Sequence, residues 1–454
     1  MLANLGLLAG LVLLIIMALR GVNILIAALV SSLLVAVTNG LGISPTLLEH
    51  FPFGPLGAFS FAGKFFVLFL AGAVFGKMMA SSGAAGSIAS AITRGLGAKH
   101  TILITMLVCA LLTYGGVVVF VVVFTMYPLG VALMREANLP KRLFCGAIAL
   151  GAGTFTMTAL PGTPSIHNVI AASALGTDLF AGALIGLTAA VVMFVAGMVY
   201  LERQWTKARA MGEGYAVNAQ DEYMESMAPA LKHGPRWQLS ILPLALVLGT
   251  IILPRLLIAL GLADSDTAVI GFANGEPIIW PSIALVIGAA SCVLLFPDFR
   301  QKAMESMGAG ANDAIMPLLN TAAVIGFGSV VTQTDGFSAF AQWVLDLPLP
   351  PLLSVFASVS VVSAIVGSGS GGLQIFMQTF AENYLAMGVA PEELHRIATL
   401  GSGGIDSLPH CGAVIAMLTI MGLKHKEAYK DIFVVTVAIP VLATLIAIGV
   451  ASLV

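Results

Sequence analysis

Charge is what this chain has least of. Only 9% of its 454 residues are Asp, Glu, Lys or Arg, against about 25% in an ordinary soluble domain. Hydrophobic residues make up 59%, and mean hydropathy is +1.01. A chain this poor in charge cannot cover a water-facing surface, which excludes a soluble globular protein and leaves a polytopic membrane protein in a lipid bilayer. A net charge of −2 offers nothing to a nucleic acid. Cysteine is scarce as well. Cys109, Cys145, Cys292 and Cys411 lie singly in apolar stretches, without CxxC or Cys/His spacing. They are expected to be reduced and buried, and neither a disulfide, a metal site nor a cofactor is expected. The start, MLANLGLLAGLVLLIIMALR, lacks a basic n-region, and further spans follow. It reads as a first transmembrane helix rather than a cleaved signal.

What the chain does have is long apolar runs. A crossing helix needs about 20 apolar residues. Crossings are expected at 3–19, 22–39 and 60–80, followed by an interfacial helix or a linker at 81–98. A hairpin at 99–135 is broken by Gly115-Gly116, and a broken helix at 142–175 is interrupted between Thr154 and Pro164. A crossing at 178–201 closes this half. The one long polar segment, 202–236, reads as a linker. The same order then returns: crossings at 237–261, 277–296 and 311–332, and an amphipathic piece at 337–347. A hairpin at 350–388 comes next, broken by GSGSGG (367–372), then a broken helix at 392–422 interrupted by GSGGIDSLPH (401–410), and a last crossing at 431–453.

The segments 1–201 and 237–454 thus predict an internal repeat, with FGKMMASSG (75–83) resembling FGSVVTQTDG (327–336). Each half holds an odd number of crossings, so the two must be inverted relative to each other. The expected fold is an all-α polytopic membrane protein of two inverted-topology repeats. Each has three scaffold crossings, a helical re-entrant hairpin, a broken helix and a final helix. With the linker in the cytoplasm, every Lys and Arg except Lys64, Arg255 and Arg396 falls inside, as the positive-inside rule expects. Both termini are then external.

Broken backbone at membrane depth leaves N–H and C=O groups unpaired, at several kcal/mol each, and survives only within protein or beside a wet cavity. TYGG (113–116), GTFTMTALPGTPSIHN (153–168), GSGSGG and GSGGIDSLPH are therefore expected to converge. Helix N-termini there offer free N–H groups to an anion, glycines admit close approach, and Ser and Thr hydroxyls can bond a carboxylate. No basic residue lies in these stretches, which suggests a small organic anion held without a dedicated Lys or Arg. The candidate substrate residues are Thr113, Tyr114, Gly115, Gly116, Thr154, Thr156, Thr163, Ser165, His167, Asn168, Ser368, Gly369, Ser370, Gly371, Gln374, Ser402, Gly403, Ser407 and His410. Each also has a plainer reading as packing or capping. Asp406 is the one carboxylate within an interruption. It reads either as the carrier of a coupling ion, with His410 four residues on, or as a cap on the following half-helix. A proton is the expected ion, and sodium is the alternative.

Over its whole length the chain resembles the GntP family of gluconate:proton symporters and related permeases. The resemblance rests on AGAVFGKMMASSGAAGSIA (71–89), GFGSVVTQTDG (326–336), the GSGSGG turn, and GSGGIDSLPH followed by GLKHKEAYKDI (422–432). It implies proton symport of small hydroxy-carboxylates across a bacterial cytoplasmic (inner) membrane. The wider superfamily implies a homodimer and elevator-type alternating access. The gluconate branch carries a Glu in the first hairpin tip and a PPHPGP-like stretch in the first broken helix. Here these are TYGG and LPGTPSIHN. The departures favour a shorter, less hydroxylated acid, as in the branch of 3-hydroxybutyrate permeases. A passive channel and an intramembrane enzyme are the other classes. No Ser/His, Cys/His or paired-Asp arrangement suggests catalysis.

Overall fold

The computed structural model describes residues 2–54, 56–117, 119–222, 234–264, 267–409 and 411–453, and among them no strand occurs. Five of the described helices are long and apolar enough to cross a membrane: Ala58–Ser81, Ala183–Ala210, Trp237–Ile258, Pro297–Thr332 and His425–Ala451. Two bent helix pairs are long and apolar enough to cross when each pair is taken together. Ala268–Gly275 turns by 104° into Ile279–Leu295, and Pro391–Ser407 turns by 54° into Gly412–Ile420. Helices Leu2–Leu19 and Ile24–Asn39 pack against each other. The four cysteines are buried and free. Along Ala183–Ala210, Leu184, Leu187, Val191, Val195 and Val199 are exposed at helical spacing, an apolar stripe suited to lipid.

The helices form two groups. In one, Ala58–Ser81 lies along Arg300–Thr332 and also meets Ile279–Leu295. Gly310 permits the close approach, since a Cβ there would sit 2.8 Å from Val74 Cα. The other group holds the hairpins and broken helices. Thr101–Tyr114 of the first hairpin packs on Lys141–Gly153, and Pro351–Val366 of the second packs on Pro391–Ser402. The later segments cross over. Ile166–Leu175 meets Gly369–Thr379 of the second hairpin, and Gly412–Ile420 meets Val119–Ala137 of the first. The final helices Ala183–Ala210 and Ile439–Ala451 run together. This reciprocal packing draws the interruptions of both halves into one body.

Two crossings are longer than the sequence reading, and the one expected at 311–332 already begins at Arg300. The crossing expected to end at 201 continues as helix to Ala210, because LERQWTKARA is rich in strong helix formers. Arg209 stacks over the Trp205 ring at 3.8 Å. The polar stretch beyond that helix, read from the sequence as the linker between halves, is held by side-chain contacts as far as residue 222; residues 223–233 lie outside the described residues. Asp221 is fully buried. Lys141 Nζ donates to both of its oxygens at 2.7 and 2.6 Å, and the Tyr127 hydroxyl donates to it at 2.6 Å. Burial pushes the Asp221 carboxyl up, but the Lys141 and Tyr127 hydrogen bonds prevail and hold it below its usual range. Asn218 Nδ2 donates to Met421 O at 3.0 Å. Arg142 forks onto Glu213 with two bonds of 2.7 Å and reaches Asp431 at 2.5 Å. Residues 213–222 therefore clamp the first broken helix to the end of the second.

Candidate functional site at the meeting of the interruptions

The second hairpin turns through two caps set back to back. Gly367, at φ +67°, closes Pro351–Val366 in the left-handed region, its N–H donating to Ser363 O. Ser368 opens Gly369–Thr379, its hydroxyl accepting the Gly371 N–H at 3.3 Å. The arms touch at Gly372, where a Cβ would lie 2.4 Å from Ser363 Cα. The second broken helix stops at Gly403-Gly404, makes a short 3-10 turn at Ile405–Ser407, and resumes at Gly412. Tyr429 donates to Ser407 O at 3.1 Å, and His425 Nε2 bonds Pro409 O at 2.8 Å, so the irregular stretch is held from the final helix.

Gly369 is the point of convergence. Its N–H donates to Asp406 Oδ2 at 3.1 Å, while Asp406 Oδ1 accepts the Ser407 hydroxyl at 2.9 Å. A Cβ at Gly369 would lie 2.7 Å from Asp406 Oδ2, 2.7 Å from His167 Nε2 and 2.9 Å from Ser402 O. Asp406 and His167 thus both approach the one position that a glycine leaves open. His167 is 4% exposed, and neither ring nitrogen has a partner among the described residues. Asp406 itself is only partly buried. It acts as a cap on the N-terminus of the second hairpin's outgoing arm. Its negative charge therefore meets a helix N-terminus. Ser370 and Gln374, on the first turns of that arm, are buried beside it. The two breaks also touch directly, since a Cβ at Gly403 would come 2.4 Å from Thr158 Cγ2.

Other residues singled out from sequence sit further along the first break, with their hydrogen bonds committed. Thr154 donates to Leu150 O at 2.6 Å and Thr156 to Gly151 O at 2.8 Å. Ser165 donates to Met157 O at 2.5 Å and caps Ile166–Leu175 through the Asn168 N–H. Asn168 Nδ2 donates to Thr163 O at 2.9 Å and Leu179 O at 2.8 Å, and its oxygen meets His395 Nε2 at 2.7 Å. That oxygen can only accept, so His395 carries its proton on Nε2 and takes the Thr177 hydroxyl on Nδ1 at 2.7 Å. The first hairpin tip meets the first break, where a Cβ at Gly116 would lie 3.3 Å from Pro164 Cγ. Tyr114 donates to Pro161 O at 2.9 Å. A Cβ at Gly115 would strike Leu244 at 2.2 Å, and one at Gly116 would strike Leu285 at 2.5 Å. The hydroxyls of Thr113 and Thr163 are buried without partners among the described residues. His410 lies outside the described residues.

Sequence reasoning missed Arg396. Counted from the charge pattern as an external residue, it is 0% exposed and is the largest fully buried side chain among the described residues. Hydropathy registers Arg396 as one polar residue near a helix start, and only the fold shows that helix Pro391–Ser402 enters the packed body at once.

A profile of GntP family permeases matches residues 2–454. The chain belongs to the GntP family of permeases. It is 40% identical over 400 residues to YxjC of Bacillus subtilis (strain 168), described as an uncharacterized transporter, covering 83% of this chain and 84% of that one. It is 27% identical over 385 residues to the inner membrane permease YgbN of Escherichia coli (strain K12), covering 80% and 79%. Among solved structures, the YdaH transporter of Alcanivorax borkumensis, reported to have an unusual topology, matches with a TM-score of 0.53 and 16% identity over 89% of this chain and 88% of that one. That likeness speaks for the fold alone. The GntP assignment makes this protein a multi-pass membrane permease, as its motifs led one to expect.

Proposed function

We propose that this GntP-family permease is a secondary active transporter, coupling the uptake of a small hydroxy-monocarboxylate to a proton across a bacterial inner membrane. The acid is of the 3-hydroxybutyrate or gluconate kind. The observation that carries the reading is the approach of Asp406 and of the unpartnered His167 to Gly369, whose N–H donates to Asp406, where three interruptions meet. An intramembrane carboxylate is costly unless it has work to do. Neutral imidazole offers one donor and one acceptor nitrogen, so His167 can bond Asp406 in either protonation state. The substrate sits on the serines and N–H groups offered by the second hairpin tip and the first break.

The recurring element order supports two inverted repeats joined by a cytoplasmic linker, with both termini outside. The crossed packing of hairpins and broken helices supports one body that carries the site past the long scaffold helices in elevator fashion, within a homodimer. Asp406→Asn is expected to abolish accumulation driven by a pH gradient while sparing exchange of labelled acid in proteoliposomes. Full gradient-driven uptake by this variant refutes the assignment, and dependence on sodium at fixed pH transfers the coupling to that ion.

A further inference from the structure

The fully buried Arg396 makes three hydrogen bonds, all to main-chain carbonyls: Nε to Ala181 O at 2.9 Å, and Nη2 to Ala181 O at 2.7 Å and Leu179 O at 3.3 Å. Nη1 is buried with no partner, and no carboxylate pairs with this guanidinium among the described residues. The chain makes room for the side chain. At Gly182, of positive φ, a Cβ would lie 2.5 Å from Arg396 Cβ, and at Gly186 it would lie 3.0 Å from Cδ and 2.3 Å from Ala159 O. Arg396 therefore lies against the first break, where Ala159 precedes the Leu160-Pro161 pair and Pro161 O holds the Tyr114 hydroxyl. Arginine stays charged in proteins, and a buried charge without a counter-ion is strongly disfavoured. The other ion pairs of the core, among the described residues, are closed within themselves: Lys141 with Asp221, and Arg142 with Glu213 and Asp431. Asp178 pairs with Arg255.

We propose that the missing counter-ion is the substrate's carboxylate, anchored on Arg396 Nη1 beside Tyr114, and that Arg396 with Asp406 fixes an electroneutral symport of one anion together with one proton. The inference rests on the transport reading above and replaces the expectation of an anion held without a dedicated base. Its logic is charge counting. The empty carrier with ionised Asp406 balances Arg396. The loaded carrier, with a bound monocarboxylate and a protonated Asp406, balances it again. A carrier holding only the anion, or only the proton, bears one net charge in the membrane, which disfavours its passage. Coupling then follows from neutrality, without direct contact between proton and anion sites.

The test uses the full-length protein in proteoliposomes, with 3-hydroxybutyrate and gluconate as probes and their neutral amides as competitors. Wild type is expected to exchange at least one acid, to ignore the amides, and to show pH-driven uptake unchanged when valinomycin and potassium set the potential. Arg396→Gln is expected to raise the KM for the acid by roughly 30-fold or more and to lose the preference for acid over amide. Arg396→Lys should recover part of both. A wild-type KM in Arg396→Gln, or uptake that grows with interior-negative potential, overturns the proposal while leaving transport standing. Exchange of neither acid by wild type overturns both readings. Should Arg396→Gln fail to fold, an electron cryomicroscopy map of the wild type with the acid bound decides. A carboxylate on Nη1 supports the proposal, and one placed elsewhere overturns it.

Discussion

Gly369→Ala is the smallest change that tests the site. The added methyl would lie 2.7 Å from both Asp406 Oδ2 and His167 Nε2 and 2.9 Å from Ser402 O, where ordinary contact is about 3.5–4.0 Å. Ser402 O is main chain, so the tip or the break must move. The bond at risk is Gly369 N–H to Asp406, 3.1 Å long. A hydrogen bond to a charged group contributes about 1.5–3 kcal/mol, which is roughly 10- to 150-fold in an equilibrium or rate at 1.4 kcal/mol per decade. Alanine is also the better helix former, by at most about 1 kcal/mol. Stability should therefore fall by roughly 0.5–2 kcal/mol, the lost bond less the gain in helix propensity, and pH-driven uptake should fall by about one to two decades. Gly249→Ala, where the methyl meets nothing within 4 Å, is the control. Gly369→Ala with wild-type KM and coupling refutes the convergence of tip, Asp406 and His167.

Two further outcomes are expected from the packing. Gly403→Ala brings its methyl to 2.4 Å from Thr158 Cγ2 and should slow transport, while adding Thr158→Ser, which deletes that methyl, should restore much of the rate in a double-mutant cycle. Lys141→Ala leaves the buried Asp221 unpaired and should cost about 3–5 kcal/mol of stability, read by denaturation in detergent, with most of it recovered by Asp221→Asn on the same background. Because the Asp221 carboxyl is held below its usual range, the stability from this clamp is complete above the ordinary carboxylate range and is lost as pH falls through the folded value. The acid end of a stability profile should therefore flatten in Asp221→Asn.

The class of fold and the places where helices break were legible in the sequence, because low charge, apolar runs and Gly/Pro clusters are local signals. GSGSGG and GSGGIDSLPH each announce an interruption on their own. What they touch is not local. Asp406 and Gly369 are 37 residues apart, and nothing in either stretch says that one caps the other. The first tip gave the opposite lesson. TYGG looks like GSGSGG in composition, yet its glycines face Leu244 and Leu285, side chains that belong to distant helices. Residues 213–222 read as part of a linker because they are polar, and hydropathy alone does not show that Asp221 and Asn218 find fixed partners inside.

The clamp has a consequence for biogenesis. Asn218 and its acceptor Met421 are 203 residues apart, a separation that takes a ribosome roughly 10–40 s to synthesise. Lys141 and Tyr127, by contrast, precede Asp221 and are already made when it emerges. The nascent first half can therefore fold its own tether into place, leaving the Asn218 amide exposed as a docking point that only the end of the second broken helix can fill. The permease carries, within its first 222 residues, the template onto which the rest is assembled.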